Sequence, residues 1–258
     1  MKIHTNQSNN SLAYILLFFT FLILILIEGF FCNTNNYILK LDSLGFCNKS
    51  FFLNFWSESG FIENLQVFFL FFSIIFLLKG RYLYRDIPFI NIFLIIKILA
   101  LLYFFGEEIS WGQHFFRWNT PDIFKDINNQ DETNIHNISN LFDQLPRTFV
   151  IIWCSLVAPI TLIFNKKYGV NKKILKIFCP DANLKFISMM ILFFVLPDLF
   201  IDILGLHPGH VNEFGQSIEA SIFYDIITFN FVRLSEFHEL IFTFYFLIYS
   251  LGIMKNEN

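Results

Sequence analysis

Residues 61–78 read FIENLQVFFLFFSIIFLL, an apolar stretch in which Glu63 is the only charged side chain. A helix of about 20 such residues crosses the roughly 30 Å hydrocarbon core of a membrane. Five more stretches have the same character, and they lie at residues 12–31, 87–105, 148–164, 186–204 and 237–254. The pattern predicts an all-α fold, a bundle of six transmembrane helices that forms a single integral membrane domain over residues 1–258.

The composition of the chain agrees with this class of fold. Of its 258 residues, 55% are hydrophobic, 38 are phenylalanines and only 15% are charged, whereas soluble domains carry about 25% charged residues. A soluble fold could not bury so much apolar surface. The net charge of −3 lacks the basic excess of a nucleic-acid-binding protein. We therefore expect the lipid bilayer as a partner and no nucleic acid, and the sequence leaves the oligomeric state open.

The orientation of the spans follows from the basic residues of the short connections, which favour the cytoplasmic side. These residues cluster between spans two and three and between spans four and five, at Lys79–Arg85 and Lys166–Lys185. The alternation places both termini in the cytoplasm and puts His136 and His210 outside. The acidic residues that fall inside are Asp86, Asp181 and Glu257. Most acids therefore lie on the extracytoplasmic face, where we expect the chemistry.

Two outer segments, Gly106–Arg147 and Gly205–Ser235, are too long to be plain connectors. Each holds an aromatic-rich piece that either lies in the headgroup region as an interfacial helix or packs into the core. These pieces are Phe115–Trp118 and Ile222–Phe231. Cys32 and Cys47 share the first outer loop, where a disulfide is permitted, and two unpaired apolar cysteines are at least as good an interpretation.

Carboxylates gather at the outer ends of spans two, three and six. Glu63 opens span two, and Glu236 and Glu239 open span six. The helix dipole stabilises an anion there by about 0.3–1 kcal/mol, so a purely structural role is an open alternative. Glu107 and Glu108 instead follow the end of span three, where the dipole disfavours negative charge. Carboxylates at that depth require water, a cation or a hydrogen-bond donor, which favours a polar or metal site.

Helix geometry predicts that these groups converge. If span three continues as a helix past Gly106, four residues share one of its faces at i, i+3, i+4 and i+7. They are Glu107, Ser110, Trp111 and His114. Gln66 likewise shares a face of span two with Glu63. Three helices would then present carboxylate, amide or imidazole groups at one depth.

A polar run, Asn129–Asn137, follows in the outer segment and supplies amides together with Glu132 and His136. Amides satisfy buried carboxylates without adding charge. We therefore expect this run to fold inward over the helix ends as a lid, with His136 at the acidic cluster. An ordinary hydrated loop is the alternative.

Carboxylate and imidazole groups together are ligands that Zn²⁺ or another divalent cation accepts. The predicted cofactor is therefore a divalent metal ion, zinc by preference. Its expected ligands are Glu63, Glu107, His136, His238 and Glu239. The catalytic general base is expected to be Glu107 or Glu108. The side chains expected to contact substrate are Gln66, Ser110, Trp111, Gln113, Asn129, Gln130, Glu132, Asn137 and Glu236.

Lys97 is a separate feature, because it lies about halfway along span three. A lysine at that depth usually faces a partner or a polar cavity. Otherwise the pKa of its amine falls and the side chain becomes neutral. Snorkelling, a backbone-carbonyl partner and a functional role all remain open for it.

Two motifs carry a resemblance to an uncharacterised group of multi-pass bacterial membrane proteins. They are Gly-Glu-Glu-Ile-Ser-Trp-Gly-Gln at residues 106–113 and Asn-Gln-x-Glu-x-Asn-x-His-Asn at residues 129–137. The resemblance implies a bacterial plasma membrane as the location and brings no activity with it.

In part, the chain also resembles the alkaline ceramidase superfamily. The resemblance lies in Trp56-x-Glu58, Glu63-Asn64, His136 and Phe142–Pro146. Those proteins are seven-span zinc hydrolases of a lipid amide, so the resemblance implies a related chemistry. This chain departs from them in its six predicted spans, and it offers His238 where they carry a final pair of histidines.

Two classes of function follow from these residues. The first is a metal-dependent hydrolase or transferase of a lipid or lipid-linked substrate, in which the metal activates a water molecule. The second is a non-catalytic transporter, channel or membrane-complex partner whose acids form a cation-binding vestibule. A polar track from the outer acids past Lys97 to the cytoplasm would favour the second class, and a closed pocket that opens to lipid would favour the first.

Overall fold

The computed structural model describes residues 12–26, 60–125, 133, 140–157, 159–161, 163–164, 176–204 and 233–255. Regular structure in these ranges is helical, which confirms the all-α class. The helices are α1 (Leu12–Leu26), α2 (Phe61–Arg81), α3 (Pro88–Glu108), α4 (Gln113–Phe116), α5 (Asp122–Lys125), α6 (Asn140–Ile152), α7 (Leu184–Leu204) and α8 (Leu234–Lys255).

Three of these helices are long and apolar enough to cross a membrane. They are α2 with the 3₁₀ turn that follows it, α3 and α8. Shorter apolar helices lie at Leu12–Leu26, Leu145–Thr161 and Leu184–Pro197. The structure therefore agrees with a membrane protein, while the complete bundle of six spans stays a prediction.

The hydropathy pattern located the centres of the helices better than their ends. Helix α8 begins at Leu234 rather than at residue 237, and α3 continues to Glu108 rather than ending at residue 105. Helix α6 begins at Asn140, well before the predicted residue 148, and it includes Pro146. The first and last turns of these helices are polar, so an apolar window does not detect them.

Helix α8 is the centre of the fold, since nearly every side chain from Phe237 to Ile253 is buried. It packs most extensively against α2, while α3 packs on α2 and α7 packs on α8. Helix α1 joins the same core, where the rings of Phe18 and Phe244 stack with centroids 3.7 Å apart. Because lipid tails are as apolar as these side chains, close packing rather than hydrophobic exclusion holds such helices together.

Helices α2 and α8 run parallel and approach each other closely at Gly80. A Cβ atom at this position would lie 2.7 Å from Cγ2 of Ile253 and 3.1 Å from the backbone nitrogen of Met254. Small residues permit such contact between helix backbones in membranes. Gly80 thereby fixes the register of α2 on α8 and sets the level at which their acidic first turns meet.

The two ends of the bundle differ in charge. At one end α2 and α8 begin and α3 finishes, with Glu63, Glu236 and Glu108 in the terminal turns. We call it the acidic end. The opposite end, where α2 finishes at Lys79 and Arg81, is the basic end.

Candidate functional site

The acidic first turns of α2 and α8 meet the last turn of α3. The carboxyl group of Glu108 interacts electrostatically with those of Glu239, Glu236, Glu63 and Glu107, in decreasing order. Four carboxyl groups on three helices thus lie within electrostatic range of Glu108, and we call these five residues the acidic cluster. Like charges in a shared site repel one another unless a proton, a hydrogen-bond donor or a cation lies between them.

Gln66 supplies an amide to the acidic cluster. Its side chain is fully buried, and its Nε2 donates to the backbone oxygen of Glu236 at 2.9 Å and to Oε2 of the same residue at 3.4 Å. The Oε1 atom of Gln66 is buried and has no hydrogen-bond partner in the described part of the chain. A buried acceptor left in that state costs about 1–3 kcal/mol, so this oxygen is poised to accept from a donor or to bind a cation.

Arg233 partly offsets the negative charge. Its Nη2 lies 3.7 Å from Oε1 of Glu236, and the two side chains are 42% and 17% exposed. An ion pair at this exposure is worth about 0–1 kcal/mol. Arg233 therefore contributes little of the stabilisation that closely spaced carboxylates need.

The expectation that span three stays helical as far as His114 is wrong, because α3 ends at Glu108. Three consecutive residues then have left-handed backbone angles, with φ of 44° at Ser110, 53° at Trp111 and 100° at Gly112. The left-handed region costs about 1–2 kcal/mol for a residue with a Cβ atom. These angles interrupt the helix, so the predicted single face with its i, i+3, i+4 and i+7 spacing does not form.

The same turn carries Trp111 back onto the end of α3. The indole Nε1 of Trp111 donates to Oε1 of Glu107 at 2.7 Å. Glu107 is only 6% exposed, whereas Trp111 is 46% exposed. A Cβ atom at Gly106 would lie 3.0 Å from Cε3 of Trp111, so the absence of a side chain at Gly106 gives the indole ring its place.

Gln113 holds the segment that follows the turn. Its Nε2 donates to the hydroxyl of Thr120 at 2.9 Å, and its Oε1 accepts from the backbone N–H of Thr133 at 2.7 Å and from the Thr133 hydroxyl. The indole of Trp118 also donates to the Thr133 hydroxyl, at 3.1 Å. Thr133 is the described residue of the polar run 129–137, and it is docked on the segment after α3.

The remaining predicted residues of that run lie outside the described residues. They are Asn129, Gln130, Glu132, His136 and Asn137. The lid and the role of His136 in it therefore stay predictions, with the docking of Thr133 in their favour.

His238 is buried and faces the neighbouring helices α6 and α7. Its Nε2 lies 3.2 Å from the carbonyl oxygen of Phe194, and the charged group that acts on its ring is Arg147. Successive helical residues point about 100° apart, so His238 and Glu239 occupy different faces of α8. The structure brings Glu239 into the acidic cluster and packs His238 against α7.

No group of three or more His, Cys, Asp or Glu side chains in the described ranges is arranged to hold a metal ion. The carboxylates around Glu108 are electrostatic neighbours, whereas ligand oxygens lie about 2.0–2.2 Å from zinc. Ligation would therefore require their side chains to turn toward a shared point, which rotamer changes at helix ends permit.

The surroundings of Lys97 were not anticipated from the sequence. Its Nζ lies 3.3 Å from the ring centroid of Trp153 and 4.3 Å from that of Tyr249, with the rings of Phe246 and Phe93 at 5.6 and 5.7 Å. We call this arrangement the aromatic cage. Cation–π contacts contribute about 2 kcal/mol or more when desolvated. The four rings come from three separate spans, so no local sequence signal could have assembled them.

No protein-family model, curated protein or solved structure matches the chain. Both family resemblances carried by the motifs stay predictions, and the functional argument depends on the geometry of the site.

Proposed function

We propose that the protein is a six-span integral membrane protein that binds a divalent cation at its acidic cluster and acts as a hydrolase or transferase on a lipid or lipid-linked substrate. The supporting observation is the convergence of Glu63, Glu107, Glu236 and Glu239 around Glu108. It is joined by the buried Oε1 of Gln66, which has no partner in the described part of the chain. The site would lie at the extracytoplasmic boundary of the membrane.

A cation accounts for both observations at once. It would relieve the repulsion among carboxylates that sit close to the hydrocarbon core, and it would give the amide oxygen of Gln66 a partner. Oxygen ligands alone suit Mg²⁺, Mn²⁺ or Ca²⁺, whereas an imidazole shifts the preference to zinc. The preference for zinc therefore depends on His136, which we propose as a further ligand from the lid.

The carboxylates divide into two roles in this proposal. Glu107 is fixed by its hydrogen bond from Trp111, so we assign it as a ligand. Glu108 is surrounded by the other carboxylates, and we assign it as the general base that takes a proton from the attacking nucleophile. The cation would supply Lewis-acid activation of that nucleophile or of the substrate.

The position of the site supports a lipid substrate. The acidic cluster lies at the end of three apolar helices, and the side chains of Trp111 and Phe116 beside it are 46% and 78% exposed. Aromatic rings are enriched at the level of lipid headgroups, where these two would contact a lipid that presents its polar group to the carboxylates.

The rival function is a transporter, channel or complex partner in which the same acids form a vestibule. Lys97 lies eleven residues before Glu108 on α3, about 16 Å along the helix axis. At that depth the Nζ of Lys97 lies against four aromatic rings. This arrangement supports a site at the boundary rather than a continuous polar path.

Metal analysis of the purified protein tests the proposal. The wild type should carry a divalent metal in stoichiometric amount after dialysis, and Glu108→Gln and Glu107→Gln should each lose it, because each removes a negative charge from the cluster. Asp86→Asn is the matched control, since Asp86 is an exposed acid beyond the basic end of the bundle. Equal metal content in all four proteins, or none in the wild type, would reject the cation site.

A further inference from the structure

Trp111 and Glu107 form a hydrogen-bonded pair across the end of helix α3. On a continuous helix, residues four apart lie one above the other, yet Trp111 stands beyond the end of α3. Its indole nevertheless reaches Oε1 of Glu107 at 2.7 Å. The contact is therefore made across the end of α3, where residues 110–112 have left-handed backbone angles.

The residues around Trp111 restrict its indole ring to one position. Gly106 leaves room for the ring at 3.0 Å, and the ring of Tyr103 meets the indole edge to face, with centroids 6.3 Å apart. Downstream, Gln113 anchors the chain through Thr120 and Thr133. Two residues with Cβ atoms adopt left-handed angles in this turn, and such conformations persist where the surrounding structure over-determines them.

The hydrogen bond from Trp111 restricts the orientation of the Glu107 carboxylate. An indole N–H is a donor only, and a hydrogen bond to a carboxylate oxygen is shorter and stronger than one between neutral groups. One carboxylate oxygen of Glu107 is thereby fixed beneath the half-exposed indole, which restricts where its second oxygen can lie.

We propose that Trp111 is a positioning residue, which orients the carboxylate of Glu107 for the acidic cluster through its indole N–H. The inference rests on the proposed function, because the cluster's cation is what Glu107 would bind. Hydrogen-bond partners of metal ligands typically change metal affinity by roughly 10- to 100-fold when they are removed. Trp111→Phe keeps an aromatic ring on Gly106 and removes the donor.

The experiment measures the contact between the indole and the carboxylate separately from the binding of the cation. Protein labelled with [¹⁵N]tryptophan in detergent gives four indole N–H signals, one for each tryptophan, and Trp111→Phe identifies the signal of residue 111. Glu107→Gln should shift that signal and leave the other three in place. Zinc affinity, measured by equilibrium dialysis, should fall roughly 10- to 100-fold in Trp111→Phe.

Trp153→Phe is the matched control, because it removes an indole donor that lies in the aromatic cage and has no hydrogen-bond partner in the described part of the chain. It should keep the zinc affinity of the wild type. An indole signal of residue 111 that does not respond to Glu107→Gln would overturn the inference, as would an unchanged zinc affinity in Trp111→Phe. If the signal responds but the wild type binds no divalent metal, the proposed function fails and the indole–carboxylate pair stands.

Discussion

The acidic end of the bundle and the aromatic cage deal with charge in opposite ways. The Nζ of Lys97 lies 3.3–5.7 Å from the centroids of four aromatic rings, so the protein itself provides electron density that compensates a positive charge there. Around Glu108, four more carboxyl groups act electrostatically on its own. The cage is complete with its own residues, whereas the acidic cluster gathers groups that repel one another.

The difference separates a structural group from the binding site that we propose. A single ion whose partners are built into the fold adds to packing and needs nothing from outside. Carboxylates gathered by three helices gain stability from whatever positive group enters among them. We therefore expect substitutions in the cage to change the stability of the fold, and substitutions in the cluster to change its response to cations.

The largest effect should come from reversing the charge inside the cage. Lys97→Glu places a carboxylate against the negative faces of the rings and should lower the free energy of unfolding by about 3–5 kcal/mol, as for an uncompensated buried charge. Lys97→Met fills the same space without a charge and should be nearly neutral. Unfolding in detergent, followed by tryptophan fluorescence, measures both.

Lys79→Glu is the control for the charge reversal, because Lys79 is exposed in the last turn of α2. It should change stability by less than about 0.5 kcal/mol, as surface substitutions usually do. If Lys97→Glu proved as harmless as Lys79→Glu, the cage would not hold a desolvated cation.

A smaller effect, of opposite sign, is expected at the acidic cluster. Glu108→Gln should stabilise the metal-free protein, because it removes one of five carboxylates that repel one another in a shared site. Added zinc should stabilise the wild type in proportion to its occupancy and should have little effect on the variant. A metal-free Glu108→Gln protein that is less stable than the wild type would show that Glu108 already has its compensation within the fold.

The last effect concerns chemical reactivity rather than stability, at the thiol of Cys179 in the segment before α7. The segment before α7 is tied to α8 by the Tyr249 hydroxyl, which donates to the carbonyl of Ile177 at 2.6 Å. Next to it, burial and then Asp181 raise the pKa of the Cys179 thiol to about 12, against the opposing effect of Lys185. A raised pKa means less thiolate at neutral pH, so Cys179 should react with maleimides about a thousandfold more slowly than an exposed cysteine.

The same labelling tests the predicted orientation. Lys172→Cys lies in the connection Lys166–Lys185 and should react only with probes that reach the cytoplasm, while Cys179 stays silent until the protein is denatured. A membrane-impermeant probe that labels residue 172 from outside would reverse the predicted topology. Rapid labelling of Cys179 in the native protein would show that its thiol is not buried.

The sequence was sufficient to predict the helical class and the centres of α2, α3 and α8, because a long apolar run without charges has few alternatives to a helix in lipid. It also placed Glu63, Glu107, Glu108 and Glu239 at one depth, since each of them lies at the end of such a run.

The turn after Glu108 could not be predicted from helical periodicity. Apolar and polar residues continue through residues 109–114 with spacing that suits a helix, and the left-handed angles interrupt it. Gly112 was the available signal, because glycine favours the left-handed position that ends a helix. Ser110 and Trp111 give no such signal, and their conformation depends on the contacts of the indole with Gly106 and Glu107.

The pairing of α2 with α8 has a consequence for how the protein is made. Gln66 and Glu236 are 170 positions apart, so α2 enters the membrane long before its partner has been synthesised. Until α8 arrives, the side-chain amide of Gln66 faces lipid or the insertion machinery, and unsatisfied polar groups in hydrocarbon are costly. Biogenesis of the acidic cluster is therefore a late event, and a nascent chain that stalls before Leu234 should be cleared by proteolysis rather than persist as a partly active protein.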